Sequence, residues 1–177
     1  MHTILPHQEN PHLREKAQHV PIHEIGGDHI QRIIVDMKKL LSKEKYGVAL
    51  AAPQIGEPIQ LFIVSGKALA EHETEDEEIV DKDAKPFPDQ VYINPEVIKV
   101  SRKKTGKHEG CLSVRGKWGI VPRAEKATVR AYDEHGKRFT RGASGFLAHI
   151  FQHETDHLDG VLYIDKATEI YDDKDEK

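Results

Sequence analysis

The sequence predicts an α+β fold in which mainly antiparallel sheets pack around a central helix. Apolar residues recur at helical spacing in two segments, and short apolar runs typical of strands lie between them. The strand-like runs precede the second helical segment in the sequence, while the first helical segment lies near the start of the chain. The length of 177 residues suits one domain with one sizeable core, so we expect a single domain over 1–177.

The two helices have different boundary signals. The first is predicted to begin at Asp28, which would cap it, with Gln31 three residues later as in a capping box. Gly47 is its predicted stop. The core face of this helix is predicted to consist of Ile30, Ile33, Ile34, Met37, Leu40 and Leu41. The second helix is predicted from about 144 to 158, with Gly160 just past its end.

Short apolar runs predict five strands, over 59–64, 91–93, 96–100, 127–132 and 137–141. Asn94-Pro95 separates the second run from the third, and the last two runs should form a hairpin that turns at 133–136. A further short strand is predicted over 161–164. The stretch from Gly47 to Gln54 is small and nearly uncharged, which lets its backbone approach another group closely.

The net charge of -4 is distributed unevenly. Residues 71–89 carry nine acidic and two basic side chains, and we expect an acidic surface loop there. Residues 168–177 are expected to form a flexible acidic tail. The rest of the chain is mildly basic and could lie near RNA, but a solvated surface is the favoured interpretation. No nucleic-acid-binding motif is present, so we expect no specific nucleic-acid partner.

Composition also limits the class of protein. The chain is 37% apolar and 32% charged, as in an ordinary globular protein. No run approaches the ~20 apolar residues that a membrane-spanning helix requires. Because the first residues do not resemble a signal peptide, we expect a cytoplasmic protein without a membrane partner. A single cysteine excludes an internal disulfide and leaves three interpretations: a buried apolar residue, a nucleophile or a metal ligand.

The second helix contains His153-Glu154-Thr155-Asp156-His157, a match to H-E-x-x-H. Residues four apart lie on one face of a helix, so the two imidazoles can bind one ion. The intervening Glu154 can then transfer protons of a water that the ion activates. Phe146 and Ile150 continue the same face, and histidines on a buried face are costly unless they are hydrogen-bonded or ligated.

Two histidines leave a catalytic site one protein ligand short of the usual three. The metzincin pattern would place a third histidine at the position of Tyr163, which argues against that pattern. A thermolysin-type site would need a downstream glutamate, and Glu169 is the one available. The remaining strong ligand is Cys111, in the stretch Glu109-Gly110-Cys111-Leu112-Ser113, which a metal would bind as a thiolate.

Three segments together resemble the peptide deformylases: Gly47 to Gln54, Glu109 to Ser113, and His153 to His157. They correspond in order to G-x-G-L-A-A-x-Q, E-G-C-L-S and H-E-x-D-H in that family. The likeness covers roughly residues 5–165. It implies a hydrolase that removes the formyl group from the N-terminal methionine of newly made polypeptides and releases formate. The implied partners are N-formylmethionyl nascent peptides. We also expect weak proximity to the ribosome and a monomeric protein.

The resemblance also implies roles for individual residues. Cys111, His153 and His157 would bind one divalent metal ion. Fe²⁺ is expected first by resemblance, and Zn²⁺, Ni²⁺ or Co²⁺ also suit a thiolate with two imidazoles. Glu154 would be the general base and later the acid, while Gln54 and the backbone N–H of Leu112 would bind the oxyanion. The expected substrate-binding residues are Gly47, Val48, Ala49, Gly110 and His149.

Several features leave alternatives open. Ala49 occupies the position of the family's second glycine, and His149 stands where an apolar residue is usual, so the substrate preference could differ. Glu109 and Arg123 would be either a supporting ion pair or two unrelated surface charges. Two other functions are considered: a metalloprotease built on H-E-x-x-H alone, and a relative that only binds metal or peptide.

Overall fold

The computed structural model of the protein describes residues 2–74 and 87–173. The helices in these ranges are α1 Asp28–Leu41, α2 Gly66–Thr74, α3 Gly145–Leu158 and α4 Tyr163–Lys166. The strands are β1 Ala49–Ala51, β2 Leu61–Val64, β3 Gln90–Val100, β4 Lys104–Cys111, β5 Val114–Ala124, β6 Lys126–Tyr132, β7 Arg138–Ser144 and β8 Glu169–Asp172. No helix in the described ranges has both the length and the apolar character needed to cross a membrane.

The strands form two antiparallel sheets. The larger has the order β1-β2-β3-β6-β7, and the smaller has the order β4-β5-β8. This arrangement confirms the prediction of an α+β fold with mainly antiparallel sheets. The predicted hairpin is formed by β6 and β7, in which Tyr132 pairs with Arg138 across the turn.

The side of the larger sheet that contains β1 and β2 is covered on both faces. Successive side chains of a strand point to opposite faces. Leu61 and Ile63 pack with the apolar face of α1, whereas Phe62 and Val64 pack with α3. The same division holds on β1, where Leu50 faces α1. Because β2 is buried on both faces, it is a continuous apolar run without alternation.

Helix α3 is held against the larger sheet by aromatic packing. The Phe62 and Tyr92 rings stack with centroids 4.6 Å apart, and Phe151 of α3 meets Tyr92 edge-on at 5.3 Å. Such pairs add about 1 kcal/mol beyond the area that they bury. Leu147 and Ala148 are fully buried in the same cluster. Apolar packing alone therefore holds α3 in position against the larger sheet.

Several predicted boundaries were wrong. The N-cap of α1 is Gly27, so Asp28 is its first helical residue, and the helix ends at Leu41 rather than near Gly47. Residues 90–100 form one strand, not two. The chain passes Asn94 with φ 50° and a register shift, and the Asn94 side chain is bonded to both the N–H and the C=O of Val20 at 2.8 Å. A β-bulge thus replaces the predicted break.

The C-terminal part also differs from the prediction. Residues 161–164 are not a strand, because Leu162 and Tyr163 are buried against Leu13 and Val121 and lead into the helical turn α4. The predicted flexible tail 168–177 begins instead with β8, which continues the ladder of β5. Residues 174–177 lie outside the described residues.

The predicted acidic loop 71–89 begins inside a helix, since α2 extends to Thr74. At its other end, Asp89 accepts a hydrogen bond from the backbone N–H of Gly66 at 2.9 Å. This bond satisfies a donor at the start of α2. The remainder of the predicted loop, 75–86, lies outside the described residues.

Candidate metal centre

Three side chains that could hold one metal ion lie close together and form what we term the ligand group: Cys111, His153 and His157. His153 and His157 lie one turn apart on α3, and Cys111 is the last residue of β4. Their ligand atoms all lie within 4.8 Å of one another. The Sγ of Cys111 is 3.3 Å from Nε2 of His157. This is the spacing of side chains that can share one ion.

Glu109 fixes the orientation of His153. Glu109 and Cys111 are two residues apart at the end of β4, although a register shift separates them. Nδ1–H of His153 donates a hydrogen bond to Oε2 of Glu109 at 2.9 Å. With Nδ1 occupied in this way, Nε2 is the nitrogen left to bind a metal.

Arg123 on β5 holds the Glu109 carboxylate from the other side. Its Nε and one terminal nitrogen donate to the two carboxylate oxygens at 2.7 and 2.9 Å. Its other terminal nitrogen donates to Asp156 of α3 at 2.5 Å. Burial opposes the charge on Glu109, but the bonds from Arg123 and His153 outweigh it and lower the pKa of Glu109 to about 2. The structure therefore shows an ion pair between Glu109 and Arg123, not two unrelated surface charges.

The donor set fits a divalent transition metal. A thiolate and two neutral imidazoles are soft and intermediate ligands that suit Zn²⁺, Fe²⁺, Ni²⁺ or Co²⁺. Three protein ligands with space beside them are the arrangement of a catalytic rather than a structural site. The hydrogen bond from His153 to Glu109 is the outer support that such ligands usually have.

Gln54 approaches this centre from the turn Ala52–Ile55. Its Oε1 accepts a hydrogen bond from the N–H of Ala51 at 2.8 Å, which fixes the orientation of the amide. Its Nε2 then donates to Oγ of Ser113 at 3.3 Å and lies 3.5 Å from the Cys111 sulfur. The buried amide therefore presents its donor side to the ligand group.

Glu154 lies between the two histidines on α3 and is buried. Its Oε2 atom has no hydrogen-bond partner among the residues that the structure describes. Burial raises the pKa of this carboxyl group to about 7. A carboxyl group in that range can both accept and release a proton near neutral pH.

Comparison with known proteins identifies the family of this chain. A family model described as "Polypeptide deformylase" matches residues 1–172. The chain belongs to the polypeptide deformylase family.

Deformylases from plants and bacteria are among its relatives. Peptide deformylase 1A, chloroplastic/mitochondrial, of Arabidopsis thaliana is 43% identical over 157 residues, which are 89% of this chain and 58% of that protein. The peptide deformylase of Desulforudis audaxviator (strain MP104C) is 39% identical over 166 residues, 94% of each chain. This chain thus spans less than two thirds of the plant protein, but nearly the whole length of the bacterial one.

Solved deformylase structures share the fold. The peptide deformylase of Legionella pneumophila has a TM-score of 0.77 at 33% identity, with 95% of this chain and 86% of that chain covered. The enzyme from Synechococcus elongatus, solved in complex with actinonin, has a TM-score of 0.74 at 30% identity, with coverage of 93% and 78%.

One cleft of about 460 Å³ in this deformylase-family chain collects the predicted site residues. Those that line it are Gly47, Val48, Ala49, Gln54, Gly110, Cys111, Leu112, His149, His153 and Glu154. His157 is buried and joins the group through its contact with Cys111. The fold thus brings all the predicted site residues to one place.

Sequence reasoning missed three residues that support this deformylase-like site. Ser113 accepts from Gln54, Asp156 links Arg123 to α3, and the Tyr163 ring stacks on His153 with centroids 6.2 Å apart. Ser113 and Asp156 lie inside the motifs that mark their neighbours, and this proximity is the signal that could have identified them. The sequence marks Tyr163 only as the position where a third histidine is lacking.

Proposed function

We propose that the protein is a metal-dependent hydrolase that removes the N-formyl group from the formylmethionine of newly made polypeptides and releases formate. One observation carries the proposal: the cleft that contains Cys111 and His153 of the ligand group also contains the buried Glu154, whose Oε2 has no hydrogen-bond partner among the described residues. Membership of the deformylase family supports the reaction class.

Cys111, Nε2 of His153 and His157 would hold the ion, with Fe²⁺ proposed first and Zn²⁺, Ni²⁺ or Co²⁺ as alternatives. When bound, the ion would act as a Lewis acid that lowers the pKa of water and polarises the formyl carbonyl. The ion pair between Glu109 and Arg123 keeps Glu109 charged, so that His153 stays in one orientation. We also propose that the second helix predicted from sequence, α3, is the central helix of the family fold.

Glu154 would transfer the protons. It takes a proton from the water whose oxygen forms a bond to the formyl carbon. It then gives that proton to the amide nitrogen as the carbon–nitrogen bond breaks, so that formate and a free amine leave. Because burial places its pKa near 7, the same group serves both halves of the reaction.

Gln54 and the backbone N–H of Leu112 would stabilise the negative charge that develops on the carbonyl oxygen. The amide of Gln54 is preorganised, since the N–H of Ala51 fixes its oxygen and leaves Nε2 to donate. Removing one such donor typically costs about 3 kcal/mol of transition-state stabilisation.

The cleft would receive the start of a linear peptide. Gly47, Val48, Ala49 and Gly110 line it and offer backbone close to the ligand group. We propose that the protein acts as a cytoplasmic monomer with weak proximity to the ribosome.

A deformylation assay tests the proposed function. The protein is purified without air, its metal content is measured, and the same sample is given formyl-Met peptides and unformylated peptides. We expect one metal ion per chain and release of formate, with no cleavage of internal peptide bonds. Cys111→Ala should lose most of the metal. Cleavage of internal bonds would instead indicate a metalloprotease, and metal binding without formate release would indicate a binding protein.

A further inference from the structure

Tyr163 is a buried side chain beside the ligand group, and the proposed chemistry gives it no task. Only 1% of the residue is exposed to solvent. Its ring lies against the imidazole of His153, with the two ring planes 22° apart and the centroids 6.2 Å apart. Aromatic rings at this separation are within the range of offset stacking. A flat side chain therefore covers one face of a metal ligand.

Strand β5 holds the Tyr163 ring in place. The hydroxyl group of Tyr163 donates a hydrogen bond to the Lys117 carbonyl oxygen at 2.9 Å. Two residues later, a Cβ built on Gly119 would lie 3.0 Å from Cε2 of Tyr163. The strand can pass this close to the ring because residue 119 has no side chain. The ring is thus anchored at its hydroxyl end and packed closely along one edge.

The Tyr163 ring also belongs to an apolar cluster that packs behind the ligand group. The buried members of this cluster are Leu13, Val114, Val121, Leu162 and Tyr163. Cys111, the ligand on β4, is packed against the same cluster. Because protein interiors are close-packed, a change of shape in such a cluster is felt by its neighbours. One apolar cluster therefore supports a ligand from α3 and the ligand from β4.

The hydrogen bond between His153 and Glu109 does not by itself determine the plane of the imidazole. A hydrogen bond stays favourable over a range of angles, so a ring held at Nδ1 alone can swing by tens of degrees. Such a swing moves Nε2 at the opposite edge of the ring. A functional site requires its groups to be held within about 0.5 Å and 10–20°. The Tyr163 ring restricts the swing, because it lies nearly parallel to the imidazole.

We propose that Tyr163 is a positioning residue of the metal centre, whose ring fixes the plane of the His153 imidazole so that Nε2 is directed at the ion. Glu109 selects which nitrogen binds, and Tyr163 sets the plane in which it lies. This inference rests on the proposed function, because it requires the ligand group to bind a metal ion. It adds the helical turn α4 to the elements that build the centre.

The test uses Co²⁺, because its visible absorption spectrum reports the coordination geometry. Each protein is loaded with Co²⁺ without air, and its affinity is measured by competition with a chelator. Tyr163→Leu keeps an apolar side chain but removes the ring. Its affinity for Co²⁺ should fall about 10- to 100-fold, as is usual when the outer support of a ligand is removed, and its absorption bands should shift or broaden. Tyr163→Phe keeps the ring and should retain most of the affinity and the wild-type bands.

Tyr92→Leu is the matched control. Tyr92 is also fully buried, and its ring packs on Phe62, Phe139 and Phe151 in the core of the larger sheet. Its removal therefore loosens the packing of the same helix, α3, through Phe151. Urea unfolding of the metal-free proteins measures how far each leucine variant is destabilised. Tyr92→Leu should keep the affinity and the spectrum of the wild type, so that a loss confined to Tyr163→Leu reports the position of the ligand and not lower stability.

The outcomes separate the two proposals. If the wild type binds no Co²⁺, the proposed function fails and this inference fails with it. If the wild type binds Co²⁺ and Tyr163→Leu has the same affinity and spectrum, this inference alone is overturned. Equal losses in Tyr163→Leu and Tyr92→Leu would overturn it as well. Should Tyr163→Leu not fold, Tyr163→Met takes its place with the same expected results, because a flexible methionine side chain fills irregular space in a core.

Discussion

Glu109 accepts a hydrogen bond from Nδ1–H of His153 at 2.9 Å while Arg123 grips both oxygens of the same carboxylate. One buried acidic group thus joins β4, β5 and α3 next to the ligand group. Its charge matters for both contacts, because it orients the imidazole and compensates the buried guanidinium.

Replacing this carboxylate should weaken metal binding. In Glu109→Gln the side chain keeps its shape but loses its charge, so His153 is held less firmly and is a weaker ligand. We expect metal affinity to fall about 10- to 100-fold, measured by competition with a chelator. Glu96→Gln removes an exposed carboxylate paired with Arg130 and should leave affinity unchanged. Equal metal affinity of Glu109→Gln and the wild type would show that the charge of Glu109 is not needed to orient His153.

Replacing Glu154 should separate metal binding from chemistry. Glu154→Gln cannot take a proton from water, yet its side chain is not one of the three ligands. We expect kcat to fall about 10²–10⁴-fold while the metal content stays at one ion per chain. Formate release and metal analysis on the same preparation check this. Turnover near that of the wild type would show that another group transfers the proton.

The end of α3 offers a prediction about stability. Gly160 follows the helix with φ 74°, and a Cβ there would lie 2.8 Å from the Arg14 carbonyl carbon. Gly136 has a similar φ of 77° but no atom within 4 Å of a built Cβ. Both alanine variants should lose about 1–2 kcal/mol through backbone strain. Gly160→Ala should lose about 1–3 kcal/mol more through overpacking.

Urea unfolding measures both variants, with the m-value as a check that the denatured state is unchanged. Equal losses for Gly136→Ala and Gly160→Ala would mean that the segment around Arg14 moves away at little cost. In that case the contact between this segment and the end of α3 would contribute little to stability.

His2 gives a prediction about pH. Its ring nitrogens lie 2.8 Å from Asp36 and 2.9 Å from Glu57. The hydrogen bond with Asp36, opposed by partial burial and aided by Glu57, raises the pKa of His2 above its ordinary value of 6.5. The folded state therefore binds this proton more tightly than the unfolded state. The resulting stability is fully present below about pH 6.5 and is lost as the pH rises through the raised value.

The variant His2→Gln should accordingly differ more from the wild type at about pH 5.5 than at about pH 9. The free energy of unfolding in urea at the two pH values checks this expectation. His29→Gln, at an exposed position in α1, is the matched control and should show no such difference. A larger effect of His2→Gln at the higher pH would contradict a raised pKa for His2.

The sequence was sufficient to predict α3 and the proximity of His153 and His157 because the constraints there are local and strict. Helical geometry places His153 and His157 on one face, and their ligand chemistry leaves few interpretations. Cys111 followed because it is the one cysteine in the chain. Hydrogen bonds between side chains that are far apart in the sequence were harder to predict. The bond between Arg123 and Asp156 spans 33 residues, and nothing in either residue's neighbourhood indicates the other.

The errors near the C-terminus have a different physical origin. A short apolar run such as 161–164 has the same pattern in a strand and in a buried helical turn. The helical turn forms because Asp165 accepts from the N–H of Leu162 at 2.8 Å and Tyr163 donates to the Lys117 carbonyl at 2.9 Å. β8 is largely exposed and exists because β5 offers an unpaired edge, which composition does not reveal.

The position of Cys111 has a consequence for how the fold holds together. Cys111 ends a strand of the smaller sheet, whereas His157, 46 residues later, lies on the helix packed against the larger sheet. An ion bound by both would be a cross-link between the two sheets that forms only in the folded chain. Free metal at a hundred times its Kd would add about 2.7 kcal/mol of stability. A chain deprived of metal would then unfold and be degraded more readily, which ties the cellular lifetime of the protein to metal supply.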